Sequence, residues 1–118
     1  AATYELLVTN GWQHRVESLD QFAALVSASQ IADVAIVEGR VVGFVRGITD
    51  GLSNGYLSMV IVAPDCRGQG FGRQLVQHAI GANQNVTWVL RAGREGVSGF
   101  FAKLGFQSSS VAMERRRR

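Results

Sequence analysis

A single mixed α/β domain, built on one sheet that is part antiparallel and part parallel, is predicted by three features of the chain. These are a valine-rich hairpin over Asp33 to Ile48, a strand, glycine loop and helix from Tyr56 to Ala82, and a further strand directly after that helix. Hairpin strands pair antiparallel, whereas strand, helix and strand in succession require a parallel pair joined by a right-handed crossover. The sheet is therefore expected to be mostly antiparallel, with one parallel pair and helices flanking it.

Taken in order, Tyr4 to Val8 reads as a short strand, and Asn10-Gly11 as the turn that releases it before Trp12. Ser18 and Gln21 have capping-box spacing, and Leu19, Phe22, Leu25 and Val26 recur with helical period, so a helix is expected to run from Ser18 to near Ser29. Only one clear helix fits before Asp33. Asp33 to Val37 and Val41 to Ile48 are rich in β-branched residues, and Glu38-Gly39-Arg40 supplies the reversal between them. Asp50-Gly51 and Asn54-Gly55 mark a looser turn before the strand Tyr56 to Val62, which Pro64 stops. Phe71, Leu75, Val76, Ala79 and Ile80 form the apolar stripe of a helix that Gly81 ends, and Val86 to Leu90 is the next strand. Val97, Phe100, Phe101 and Leu104 predict a last helix ending at Gly105, and Phe106 to Met113 a final strand.

At 118 residues the chain suits one core, so residues 1 to 118 are read as one domain with a basic tail at 115 to 118. The net charge of +3 comes from that tail: removing its four arginines leaves eight basic residues against nine acidic ones. A solvated terminus, rather than a nucleic-acid contact, is the expected meaning of such a run. Cys66 is the sole cysteine, which excludes an intrachain disulfide and a cysteine zinc site, and His14 and His78 lack metal-ligand spacing. No metal is expected. With no apolar run long enough to cross a bilayer, a soluble cytoplasmic protein is the expectation.

Arg67-Gly68-Gln69-Gly70-Phe71-Gly72-Arg73 lies between a strand and a helix, where free amide N–H groups and the helix dipole favour a phosphate. A triphosphate loop needs Lys and Ser or Thr after its last glycine, but Gly72 is followed by Arg73-Gln74. A dinucleotide fingerprint starting at Gly68 needs glycine at position 73, which is arginine. Both readings fail.

The stretch Val62-Ala63-Pro64-Asp65-Cys66-Arg67-Gly68-Gln69-Gly70-Phe71-Gly72 resembles motif A of the GNAT superfamily of N-acetyltransferases, with Arg67, Gly70 and Gly72 on its basic-x-x-Gly-x-Gly core. Phe100-Phe101-Ala102-Lys103-Leu104-Gly105-Phe106 is similar to that family's late helix and its Leu-Gly-Phe entry into the next strand. The resemblance covers about Asp33 to Met113. It implies a GNAT-like fold in which the strands Tyr56 to Val62 and Val86 to Leu90 splay around acetyl-CoA. It further implies that Val60, Ile61 and Val62 bond the pantetheine arm through their backbones. The amides of Gly68, Gln69, Gly70, Phe71, Gly72 and Arg73 would cradle the pyrophosphate, with Arg67 beside them. Arg94 falls where relatives often place an asparagine near the arm.

Acetyl transfer needs a neutral amine, a donor for the developing oxyanion and a proton for the departing thiolate. The resemblance assigns the oxyanion to the Val60 amide, freed by a bulge in its strand. The tyrosine acid of many relatives corresponds to Phe101, and a carboxylate base to Val89, so neither role transfers. Tyr56 and Ser58 share a strand face leading to Val60 and are candidates for a proton relay through water. Glu95 and Ser98 lie at the start of the late helix. Cys66 lacks a histidine partner, which favours direct transfer over an acyl-enzyme. A short N-terminal region implies an acceptor site that is open or completed by a second subunit, with Trp12 and His14 at its border. The function expected is acetyl transfer from acetyl-CoA to a small-molecule amine or a protein amino group, in a homodimer. The alternative is a CoA-binding or interaction module without catalysis.

Overall fold

The computed structural model describes residues 2–10, 18–92 and 97–117, with the side chains of 97 and 98 left aside. Two short helices come first, α1 over Ala2–Val8 and α2 over Leu19–Ser27. β1 (Ile31–Val37), β2 (Arg40–Thr49) and β3 (Asn54–Val62) follow. A 3₁₀ turn at Pro64–Cys66 leads to α3 (Phe71–Ile80), β4 (Thr87–Leu90) and α4 (Val97–Ala102). The sheet order is β1-β2-β3-β4, antiparallel except for the parallel β3–β4 pair.

Local chemistry accounts for most boundaries. The Ser18 side chain accepts from Gln21 N at 3.0 Å and starts α2, a cap worth about 1 kcal/mol. Glu38 and Gly39 both have positive φ, 50° and 77°, the geometry that matches a two-residue hairpin to strand twist. Gly81, at φ 69°, closes α3 with its N–H on Gln77 O. The last helix unwinds through Gly105, at φ 94°, while Phe106 N returns to Phe101 O.

Two core clusters sandwich the sheet. On one face Leu7, Phe22, Val42, Phe44, Met59 and Ile61 pack beneath α1 and α2. On the other, Val45, Leu57, Leu75, Val76, Ala79 and Phe101 pack beneath α3 and α4.

Two expected strands are absent. Tyr4 to Val8 is helical: Leu6 and Leu7 are both buried in one cluster, whereas neighbouring residues of a strand point to opposite faces. So short an apolar run carries no period that separates the two forms. The N-terminal region therefore holds two helices, not the single one expected, and the premise of an abbreviated acceptor wall falls with it. At the other end, residues 107–113 form no ladder, and Val111 and Met113 are 86% and 98% exposed. Ser109 Oγ accepts from the amides of Val111 and Ala112 at 3.1 and 3.0 Å, a local alternative to strand pairing.

Candidate functional site

β4 pairs with β3 only from Asn54↔Thr87 to Leu57↔Leu90. Beyond Leu57, residues 59–62 of β3 keep β2 on one side and have no β4 partner on the other. β4 itself ends at Leu90, so among the described residues this edge of β3 is open beyond Leu57, and the gap beside it has its vertex at Leu57 and Leu90.

A bulge sits at that vertex. Arg46 pairs with Met59 and Gly47 with Leu57, so Ser58 is the extra residue of β3. Such an insertion shifts the alternation of the strand, and the clusters record the shift: Leu57 packs under α3, Met59 under α1 and α2, and Val60 again on the α3 side.

The same ladder fixes where the backbone donors point. Ala63 N donates to Val42 O at 2.7 Å, and strand N–H groups alternate in direction. The amides of Ile61 and Met59 therefore face β2, and those of Val60 and Val62 face the gap. The Val62 carbonyl confirms the direction, since it accepts from Arg67 Nε at 3.0 Å.

At the open end of the gap lies the glycine loop. Gly68 and Gly70 have φ of 81° and 90°, and no atom lies within 4 Å of the place where a Cβ would stand on either. The N-terminus of α3 carries no side-chain cap, which leaves its first N–H groups for a ligand. Gly72 is different: a Cβ there would stand 3.1 Å from Phe100, so it lets α3 and α4 approach. Arg40 holds the loop from outside through two bonds to Asp65, 2.7 and 2.9 Å, and keeps that carboxyl below its ordinary pKa. An uncapped helix start behind an open glycine loop has the geometry that suits an anion such as a pyrophosphate.

On the α1 and α2 face, the bulge carries a polar group that sequence reasoning missed. Arg46 is 8% exposed, its Nε donating to Ser29 Oγ and its Nη1 to Ser58 Oγ, both at 2.7 Å. Burial holds the guanidinium below its ordinary pKa, and the neighbouring Tyr56 acts in the opposite sense. The structure thus brings Tyr56 and Ser58 together around Arg46. The available signal was a charged residue inside the apolar run Val41 to Ile48.

Other sequence candidates separate from this group. Phe101 is buried and stacks edge-on with Phe100 and Phe106, at 5.0 and 5.6 Å between ring centroids, as a core residue does. Val89 pairs with Tyr56 and is 46% exposed. Cys66 packs against the α1 and α2 cluster. Trp12, His14, Arg94 and Glu95, and the Ser98 side chain, lie outside the described residues. Among the described residues no group of three or more His, Cys, Asp or Glu side chains could hold a metal.

Comparison with known proteins gives a consistent picture. The acetyltransferase (GNAT) domain model matches residues 28–108. The peptidyl-lysine N-acetyltransferase YjaB of Escherichia coli (strain K12) is 36% identical over 56 residues, 48% of this chain and 38% of that protein. The match thus spans well under half the length of this curated relative. A GNAT family acetyltransferase from Streptococcus pneumoniae TIGR4 superposes with a TM-score of 0.77 at 23% identity, covering 98% of this chain and 90% of its own. An aminoglycoside 6'-N-acetyltransferase complexed with coenzyme A gives 0.56 at 21% identity, covering 66% and 44%. With its parallel β3–β4 pair, its glycine loop and a family match over most of its length, the chain belongs to the acetyltransferase (GNAT) domain family.

Proposed function

We propose that this protein transfers the acetyl group of acetyl-CoA to an amine. The observation that carries the reading is the end of the β3–β4 ladder at Leu57, which leaves the Val60 and Val62 amides facing a gap that opens onto the glycine cradle. Bound there, acetyl-CoA supplies a thioester as the acetyl donor. The chain supplies the rest: Val60 N–H as donor to the thioester oxygen, Ile61 and Val62 backbone along the pantetheine arm, and Gly68, Gln69, Gly70, Phe71, Gly72 and Arg73 at the pyrophosphate. Arg67 and Arg94 complete the binding set.

The amine nitrogen bonds to the acetyl carbon, the carbon–sulfur bond breaks, and the proton lost by nitrogen balances the one gained by the thiolate. Because Phe101 has no proton to give, a water held by Tyr56 and Ser58 is the proposed carrier. The relative that acetylates peptidyl-lysine supports a primary amine, small or within a protein, as acceptor. A homodimer in the cytoplasm belongs to the same reading, and light scattering of the purified chain tests the assembly. No helix among the described residues is long and apolar enough to cross a membrane.

Titration calorimetry should show acetyl-CoA binding, and a thiol-release assay over a panel of amines should show turnover above hydrolysis. Folded protein that fails to bind the cofactor sinks the proposal. Binding without amine-dependent thiol release favours a CoA-binding module instead.

A further inference from the structure

Arg46 is placed unusually for a structural arginine. It is buried at the vertex of the gap, and among the described residues no carboxylate pairs with it: Asp33, Asp65 and Glu114 are the acidic partners of the ion pairs present, with other cations. Its two hydrogen bonds go to hydroxyls, Ser29 through Nε and Ser58 through Nη1. Among the described residues the buried side-chain nitrogen left without a partner is Trp88 Nε1. Nη2 of Arg46 makes no hydrogen bond among the described residues and is not one of the fully enclosed unpartnered atoms, so part of it is open to solvent. A guanidinium held through Nε and Nη1 with Nη2 open offers charge-assisted N–H donors that suit a carboxylate.

Arg46 lies close to the proposed oxyanion donor. Ser58, which Arg46 holds, is two residues from Val60, about 7 Å of extended strand. Val60 and Val62 turn their side chains toward α3, while Arg46 faces the side of α1 and α2. An acceptor approaching the Val60 amide from that face would meet Arg46 at once.

We propose that Arg46 Nη2 forms a carboxylate subsite in the acceptor pocket, so that the acceptor is a small amine that carries a carboxylate. This rests on the transferase reading. The bound carboxylate offsets a buried charge that the fold leaves unpaired, and it anchors the amine a few ångströms away, near the thioester.

The test compares glycine, β-alanine and γ-aminobutyrate, each with its primary amide, as acceptors for the intact chain. At least one acid should exceed its amide in kcat/KM by about tenfold or more, carried mainly by KM. Arg46→Gln should abolish the preference and Arg46→Lys restore part of it. Should the variants not fold, the Arg46 Nε–H resonance of the unaltered chain gives the second measurement: it should shift with γ-aminobutyrate and not with its amide. Equal rates within every pair, a preference that survives in Arg46→Gln, or a lysine peptide free of acidic residues that outperforms the acids would overturn the subsite. If no amine is acetylated while the resonance still responds to the carboxylate, the transferase reading fails and the subsite stands. A resonance that does not respond overturns the subsite whatever the turnover.

Discussion

The two halves of β3, Asn54 to Leu57 and Ser58 to Val62, have opposite fates. Residues 55–57 are laddered on both edges, to β2 and to β4, whereas residues 59–62 keep only β2. Both halves alternate buried and half-buried positions, so hydrophobic burial does not distinguish them. The difference lies in the Ser58 bulge, which re-aims the strand at the point where β4 ends. A binding cleft is thus produced by ending a hydrogen-bond ladder rather than by adding polar side chains, and its donors are those the ladder would otherwise consume.

The largest way to break this contrast is to disturb the laddered half. A Cβ on Gly55 would stand 2.5 Å from two ring atoms of Trp88 and 2.8 Å from a third. Gly55→Ala should therefore lower stability by about 3 kcal/mol, the upper range for overpacking, as read by urea denaturation. An unchanged midpoint would show that the ring moves freely. In the open half the contrast is tested by Val60→Pro, which removes the N–H facing the gap without costing a bond to β2. Thiol release should fall roughly a hundredfold in a chain that keeps its circular dichroism, and retained turnover would rule the Val60 amide out as oxyanion donor.

Gly70→Val sharpens the comparison at the mouth of the gap. There is room for the side chain, but φ of 90° is strained for a β-branched residue. Acetyl-CoA affinity should drop about tenfold, consistent with strain of a kcal/mol or more; equal affinity in calorimetry would mean the loop relaxes without cost. The smallest effect concerns the entry to the laddered half. Asp50 accepts from the amides of Leu52, Ser53 and Asn54 at 2.8, 2.8 and 3.1 Å, which holds its pKa far below the ordinary carboxylate value. Its contribution is present above about pH 4 and is lost as pH falls from there toward the folded-state value. Between about pH 5 and pH 3 the native chain should lose thermal stability more steeply than Asp50→Asn. Parallel curves would refute that role.

What could be read from the sequence follows the range of the interactions involved. The hairpin, α2 and α3 are set by neighbours a few residues apart and stand where the residues placed them, and the parallel pair, which joins Asn54 to Thr87, follows from the order of strand, helix and strand. The nature of α1 was not legible, because Tyr4 to Val8 is too short to show a period and its helix forms against β2. The last strand failed where Ser109 captured nearby amides. The Ser58 bulge is a property of register between β2 and β3, and Arg46 gains its meaning from Ser29, 17 residues away. Neither is written in a local motif.

The outward-facing amides of Val60 and Val62 also bear on how such a protein changes over generations. Nineteen of the twenty genetically encoded residues carry the same N–H, so most substitutions at these positions leave the donor in place while altering the shape around it. On the proposed reading, cofactor binding is thereby buffered against mutation, and the side chains beside it are free to vary with the acceptor. Drift at this cleft can redirect specificity long before it endangers the chemistry.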